Sequence, residues 1–170
     1  VSGSDLYVGG IFETAGEVTA NRIAKWDGNT WSALGSGMGG DVFALAASGN
    51  VLYAGGSFTT AGGISANYIA KWDGSAWSAL GSGIFGYVYA LALSGTNLYA
   101  GGTFTTAGGL AASKIARWNG NAWSALGSGM GGTYPNVHAL AVSGTNLYAG
   151  GAFTNAGGIP AKYIARWNGS

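Results

Sequence analysis

Cysteine is absent from these 170 residues, which excludes disulfides and thiolate metal ligands and suits an extracellular bacterial protein as well as a cytosolic one. Charge is nearly as scarce. Seven Lys and Arg stand against six Asp and Glu, only 8% of the chain is charged, and no electrostatic footprint for nucleic acid or an anionic membrane surface results. The good surface-helix formers Glu, Lys and Gln are nearly missing, which argues against a helical fold. Glycine interrupts every hydrophobic stretch before about 18 residues are reached, so no membrane-spanning helix is expected. A single His, His138, limits the acid–base and metal chemistry the chain can assemble.

What remains is glycine and apolar residues. A hydrophobic content of 48% excludes a disordered polymer, and 34 glycines with 13% aromatics suit many short strands joined by tight turns. These residues are arranged in a repeat. Leu-Tyr ahead of a Gly-Gly doublet falls at Leu6, Leu52, Leu98 and Leu147, at intervals of 46, 46 and 49. Trp26, Trp72, Trp118 and Trp167 keep the same intervals, so three extra residues lie in a loop around Thr133-Tyr134-Pro135-Asn136.

One period holds four short apolar runs separated by turn signals. Strand A is predicted at Val88–Leu93, strand B from Leu98, strand C at Lys114–Trp118 and strand D at Trp123–Leu126, with a polar, glycine-rich connection Thr105–Gly109 between B and C. Four strands in 46 to 49 residues is the size of a propeller blade. The expected fold is therefore all-β, a β-propeller segment of about three and a half four-stranded blades. Residues 1–37 form a partial blade (B–D), 38–83 and 84–129 full blades, and 130–170 a partial blade (A–C).

Gly74-Ser75 sits where a two-residue type II′ loop has its glycine. That sets Asp73 opposite Ala76, Trp72 opposite Trp77, Lys71 opposite Ser78 and Ile69 opposite Leu80. Ala70, Trp72, Trp77 and Ala79 then share one face. Stacked blades would cover both faces, with small residues of strands A and B expected to receive the Trp rings. The Trp pairs are thus expected to be core.

The residues Tyr99-Ala100-Gly101-Gly102, then Trp118-Asn119-Gly120 and Trp123, resemble the kelch-type repeat with its glycine doublet and spaced aromatic pair. Trp stands where kelch usually has Tyr, and the hairpin is shorter. The unit is more similar to the divergent kelch or galactose-oxidase-type repeats of large bacterial surface proteins and fungal cortical polarity markers. The resemblance implies a propeller with strand A at a central channel and strand D at the rim. The Tyr and His copper ligands of galactose oxidase find no matching positions, so no functional residue carries over.

The predicted strands number fourteen, because the first unit lacks A and the last lacks D. Returning from Ser170 to Val1 would omit the equivalents of residues 122–141. A partial ring leaves edges open, and the expected remedies are flanking repeats in a longer array, a second chain, or a reduced four-bladed ring.

Candidate contacts are sought where the copies differ. The D-to-A connections carry Phe85, Tyr87 and Tyr134, aromatics outside the repeated framework on segments expected to be loops. His138 takes the place of Phe43 and Tyr89 on strand A, near the expected channel. Lys25, Lys71, Arg117 and Arg166 each precede Asp27, Asp73, Asn119 or Asn168 by two residues, as a solvated or inter-blade polar contact. Asp41, Glu13 and Glu17 have no calcium-loop spacing. No catalytic, metal or cofactor site is expected. The function expected is a non-enzymatic scaffold or protein-binding module at a bacterial cell surface or in the medium, its partners other protein chains or further repeats of the same protein. The alternative is a lectin-like propeller binding glycans once per blade.

Overall fold

A computed structural model describes residues 1–169, so the predicted end of the fourth unit at Ser170 lies outside the described residues. Among them none is helical, and no helix is long and apolar enough to cross a membrane. The chain forms antiparallel sheets, four of which are the repeated units. Their members are Leu6–Gly9, Ile23–Trp26 and Trp31–Ala33; then Val42–Ser48, Val51–Gly56, Ile69–Trp72 and Trp77–Ala79; then Val88–Ser94, Asn97–Gly102, Ile115–Trp118 and Trp123–Ala125; then Asn136–Ser143, Asn146–Ala152 and Ile164–Trp167. These fourteen strands stand in the expected order A-B-C-D across each complete sheet, and among the described residues the first sheet has no strand A and the last no strand D.

The hairpin register follows the sequence reading, with Trp72 opposite Trp77 and Lys71 opposite Ser78. Its turn differs in one bond. Gly74 has the required positive φ of 105°, but the Ala76 N–H donates to the Asp73 carboxylate Oδ1 at 2.8 Å, as does the Ser75 N–H. An Asx-type closure thus takes over the role of the backbone acceptor in a type II′ turn. Asn119 does the same in the third unit, accepting from the Asn121 and Ala122 N–H groups at 2.9 Å, so Asp and Asn interchange at this position.

The polar, glycine-rich B-to-C connection contains a two-residue-strand hairpin of its own in every unit, such as Thr106–Ala107 with Leu110–Ala111. The segment Ile84–Phe85 pairs with it, Ile84 opposite Ala107 and Phe85 opposite Thr106. Phe85 is therefore on a short strand and not on an irregular loop. The bonds that hold it are backbone ones, which side-chain patterning does not reveal over two residues.

The core lies between units. Each buried cluster mixes two neighbours: Ile23 and Leu34 of the first join Met38, Val42, Leu52 and Phe58 of the second. Ile69 and Leu80 join the third unit, and Ile115 and Leu126 join the fourth. Ile23, Ile69 and Ile115 are at most 2% exposed, whereas the equivalent Ile164, with no unit packed over it, is 66% exposed.

The glycine doublet makes the stacking possible. A Cβ placed on Gly55 would lie 2.5 Å from Val88 Cγ1 of the next unit, and one on Gly101 would lie 2.5 Å from Val137 Cγ1. Strand B therefore lets the next strand A approach its backbone, and consecutive strands A pack side by side. Glycines of the connections also reach the Trp rings. Trp77 packs on Gly35, just past strand D of the preceding unit, and on Gly62 of its own B-to-C connection.

Candidate functional site

Strand A breaks its register once in each of the three sheets that have it, between Val42 and Ala44, Val88 and Ala90, and Val137 and Ala139. The extra residue of these bulges is Phe43, Tyr89 or His138. A bulge re-aims one side chain out of the pleat, and the three re-aimed rings form a row across three units. Phe43 and Tyr89 have centroids 5.5 Å apart, and Tyr89 and His138 stack at 5.5 Å with a 24° interplanar angle.

Tyr87 joins the row from the side, 6.3 Å from Phe43 and 6.2 Å from Tyr89, and also meets Tyr68 at 6.0 Å. Two of the sequence-predicted residues, Tyr87 and His138, are thus brought together through Tyr89. Phe85 and Tyr134 stand apart from the row, 73% and 86% exposed. The row is accessible, with Phe43 at 41% and Tyr87 at 46% exposure.

The residue before each strand C was not among the positions singled out from the sequence. Arg22, Tyr68, Lys114 and Tyr163 hold φ of 64°, 63°, 67° and 69°, a left-handed conformation that costs a non-glycine residue about 1–2 kcal/mol. Two backbone bonds hold each one. The Tyr68 N–H donates to the Phe58 carbonyl at 2.8 Å, and the Tyr68 carbonyl accepts from the Gly56 N–H at 3.1 Å. The other units repeat this pattern, as with Lys114 between Phe104 and Gly102.

Two of the strained positions, Arg22 and Tyr68, meet the residue that enters the next unit's strand A. Arg22 Nε lies 3.6 Å from Asp41 Oδ1, and Tyr68 meets Tyr87. Both pairs are nineteen residues apart, so charge is matched with charge and ring with ring at one structural position. The signal was present in the sequence: within the repeated run ending Ile-Ala-Lys/Arg-Trp, the residue before Ile is Arg, Tyr, Lys and Tyr. The position therefore varies between copies while keeping strain that a glycine would relieve.

Charges are few. Lys25 bonds Asp5 of its own unit at 3.2 Å, and that hydrogen bond raises the ammonium pKa above its ordinary value. The hairpin-tip carboxylate of Asp73 is lowered to about 2 by the Ala76 and Ser75 N–H groups, and that of Asp27 is lowered by the Thr30 and Asn29 N–H groups. These carboxylates serve turns. Among the described residues no three His, Cys, Asp or Glu side chains converge as metal ligands, and no polar or charged residue is buried.

No protein-family model matches the chain, and no curated protein does. Among solved structures it is similar to the crystal structure of the computationally designed Ika8 protein, with a TM-score of 0.54 and 19% identity. The match covers 87% of this chain and 43% of that one, so the chain spans less than half the length of that structure. At this identity the likeness concerns the fold.

Proposed function

We propose that the chain is a segment of a β-propeller of kelch-like blades and serves as a non-enzymatic scaffold in a secreted or surface-exposed bacterial assembly, presenting the aromatic row to a protein partner. The observation that carries this is the interface that recurs between units. The Trp77 indole Nε1 donates to the Leu34 carbonyl at 2.8 Å, and the Trp123 indole Nε1 donates to the Leu80 carbonyl at 2.9 Å. Identical joints between identical sheets generate a regular array, and rotation about one axis is the geometry in which such four-stranded sheets close. The presented surface is aromatic and nearly uncharged, the composition of a protein-contact core.

A photo-crosslinking amino acid at position 87 of the full-length protein, expressed in its own cells, tests the reading. Crosslinks to an extracellular polypeptide from position 87, and none from position 121 at a hairpin tip, are expected. Equal labelling from both positions, or a cytosolic location, would contradict it.

Glycan binding is the second reading, favoured by the accessible stack of Tyr89 on His138 beside Tyr87, since sugar rings pack on aromatic faces. Glycan-array binding that Tyr87→Ala abolishes without a change in thermal stability would replace the first reading with this one.

A further inference from the structure

Two of the joints between units carry a side-chain pair that links the residue before strand C to the residue entering the next strand A. At the first joint the pair is ionic, Arg22 with Asp41. At the second it is Tyr68 with Tyr87, whose ring centroids lie 6.0 Å apart with the planes tilted by 56°. The second and third units, which supply these two rings, each pack against a neighbour on both faces.

Both tyrosines are fixed through their backbones. Tyr68 is held in its left-handed conformation by bonds to Phe58 and Gly56, and the Tyr87 carbonyl accepts from the Thr103 N–H at 3.0 Å. Tyr87 is exposed and Tyr68 half-buried, so a small oxidant has access to the pair. Tyr89 is held between Phe43 and His138, whereas among the described residues Tyr87 is the one ring that meets Tyr68. The usual oxidation targets are withdrawn: the chain has no cysteine, and its two methionines, Met38 and Met130, are buried. Without cysteine no disulfide can tie one unit to the next.

We infer that Tyr68 and Tyr87 form an oxidative crosslinking site, at which a peroxidase using hydrogen peroxide couples the two phenols into dityrosine and staples the second unit to the third. Each phenol gives up one electron and its hydroxyl proton. The two radicals form a carbon–carbon bond between ring positions ortho to oxygen, and the hydrogen on each of those carbons then moves to the phenol oxygen. Peroxide takes up the two electrons and two protons and leaves as two waters. The inference rests on the geometry of this pair and stands whether or not the aromatic row binds a partner.

The test is oxidation of the full-length protein at high dilution by a peroxidase and hydrogen peroxide, followed by tryptic mapping. Dityrosine fluorescence in the monomer is expected, with residues 26–71 joined to residues 72–114 and fragmentation placing the bond at Tyr68 and Tyr87. Tyr68→Phe and Tyr87→Phe, which keep both rings, should each lower the yield at least about tenfold, because the proximity of the two phenols is lost. Tyr134→Phe should leave the yield unchanged. The linked protein should also unfold at higher urea than the parent, since the bond closes a loop in the unfolded chain. Should a Phe variant fail to fold, the mapped bond in the parent still decides. No dityrosine, a bond confined to residues 72–114, or bonds formed only between separate molecules overturns the inference.

Discussion

Trp77 and Leu34 are joined across a unit boundary by an indole N–H to carbonyl bond of 2.8 Å, and Trp123 and Leu80 are joined in the same way one repeat later at 2.9 Å. The indole is thus core and connector at once: its ring covers Gly35 and Gly62 while its only polar atom binds the neighbouring unit.

Trp123→Phe keeps most of the ring and removes the donor, leaving the Leu80 carbonyl with the Gly83 N–H alone. A loss of about 0.5–1.5 kcal/mol is expected by urea unfolding. Trp123→Ala should cost about 3–5 kcal/mol through the added cavity. A Phe variant as stable as the parent would show that the bond contributes nothing.

The Asp73 turn gives a pH signature. Its carboxyl pKa is lowered from 3.8 to about 2 by the Ala76 and Ser75 N–H groups. A group depressed in the folded state contributes stability above its unfolded pKa, and that contribution is lost as pH falls through the folded value. The hairpin should therefore weaken between about pH 4 and pH 2. Asp73→Asn, which copies Asn119 and its two N–H contacts, should flatten that part of the pH profile with little change at pH 7. Unfolding midpoints across this range provide the check.

The left-handed positions carry removable strain. Lys114, at φ 67°, has backbone bonds to Phe104 and Gly102 that a glycine would retain. Lys114→Gly should raise stability by about 0.5–1 kcal/mol, measured by thermal or urea unfolding. Tyr68→Gly should gain less, because it also loses the ring contact with Tyr87.

The row of bulge residues should be energetically coupled. A double-mutant cycle on Tyr89 and His138, each changed to Ala, should return about 0.5–1.5 kcal/mol of interaction energy. A cycle on Phe85 and His138 should return none.

Much of the fold was legible because the repeat is nearly literal. Spacing gave the unit, the Trp-Asp-Gly-Ser-Ala-Trp run gave the hairpin register, and Leu-Tyr before Gly-Gly located strand B. The Ile84–Phe85 pairing and the left-handed backbone at Tyr68 escaped because both rest on backbone bonds between segments far apart in the period. The closure at Asp73 escaped because its side-chain carboxylate takes the place of a backbone acceptor within a turn whose position was read correctly. Tyr87 and His138 were picked out by their variation between copies, but their meeting through Tyr89 follows from a bulge. Alternation along a strand does not foretell a bulge.

The central claim is that the sheets are held by each other, strand B of one unit yielding its backbone to strand A of the next. Replacing Gly55 and Gly150 with Ala, one at a time, tests it most directly. A Cβ on Gly55 meets Val88 Cγ1 at 2.5 Å, while the nearest atoms to one on Gly150 lie at 3.9 Å. Urea unfolding should show Gly55→Ala destabilised by about 1–3 kcal/mol and Gly150→Ala close to the parent protein. Equal effects at the two glycines would contradict the stacked arrangement.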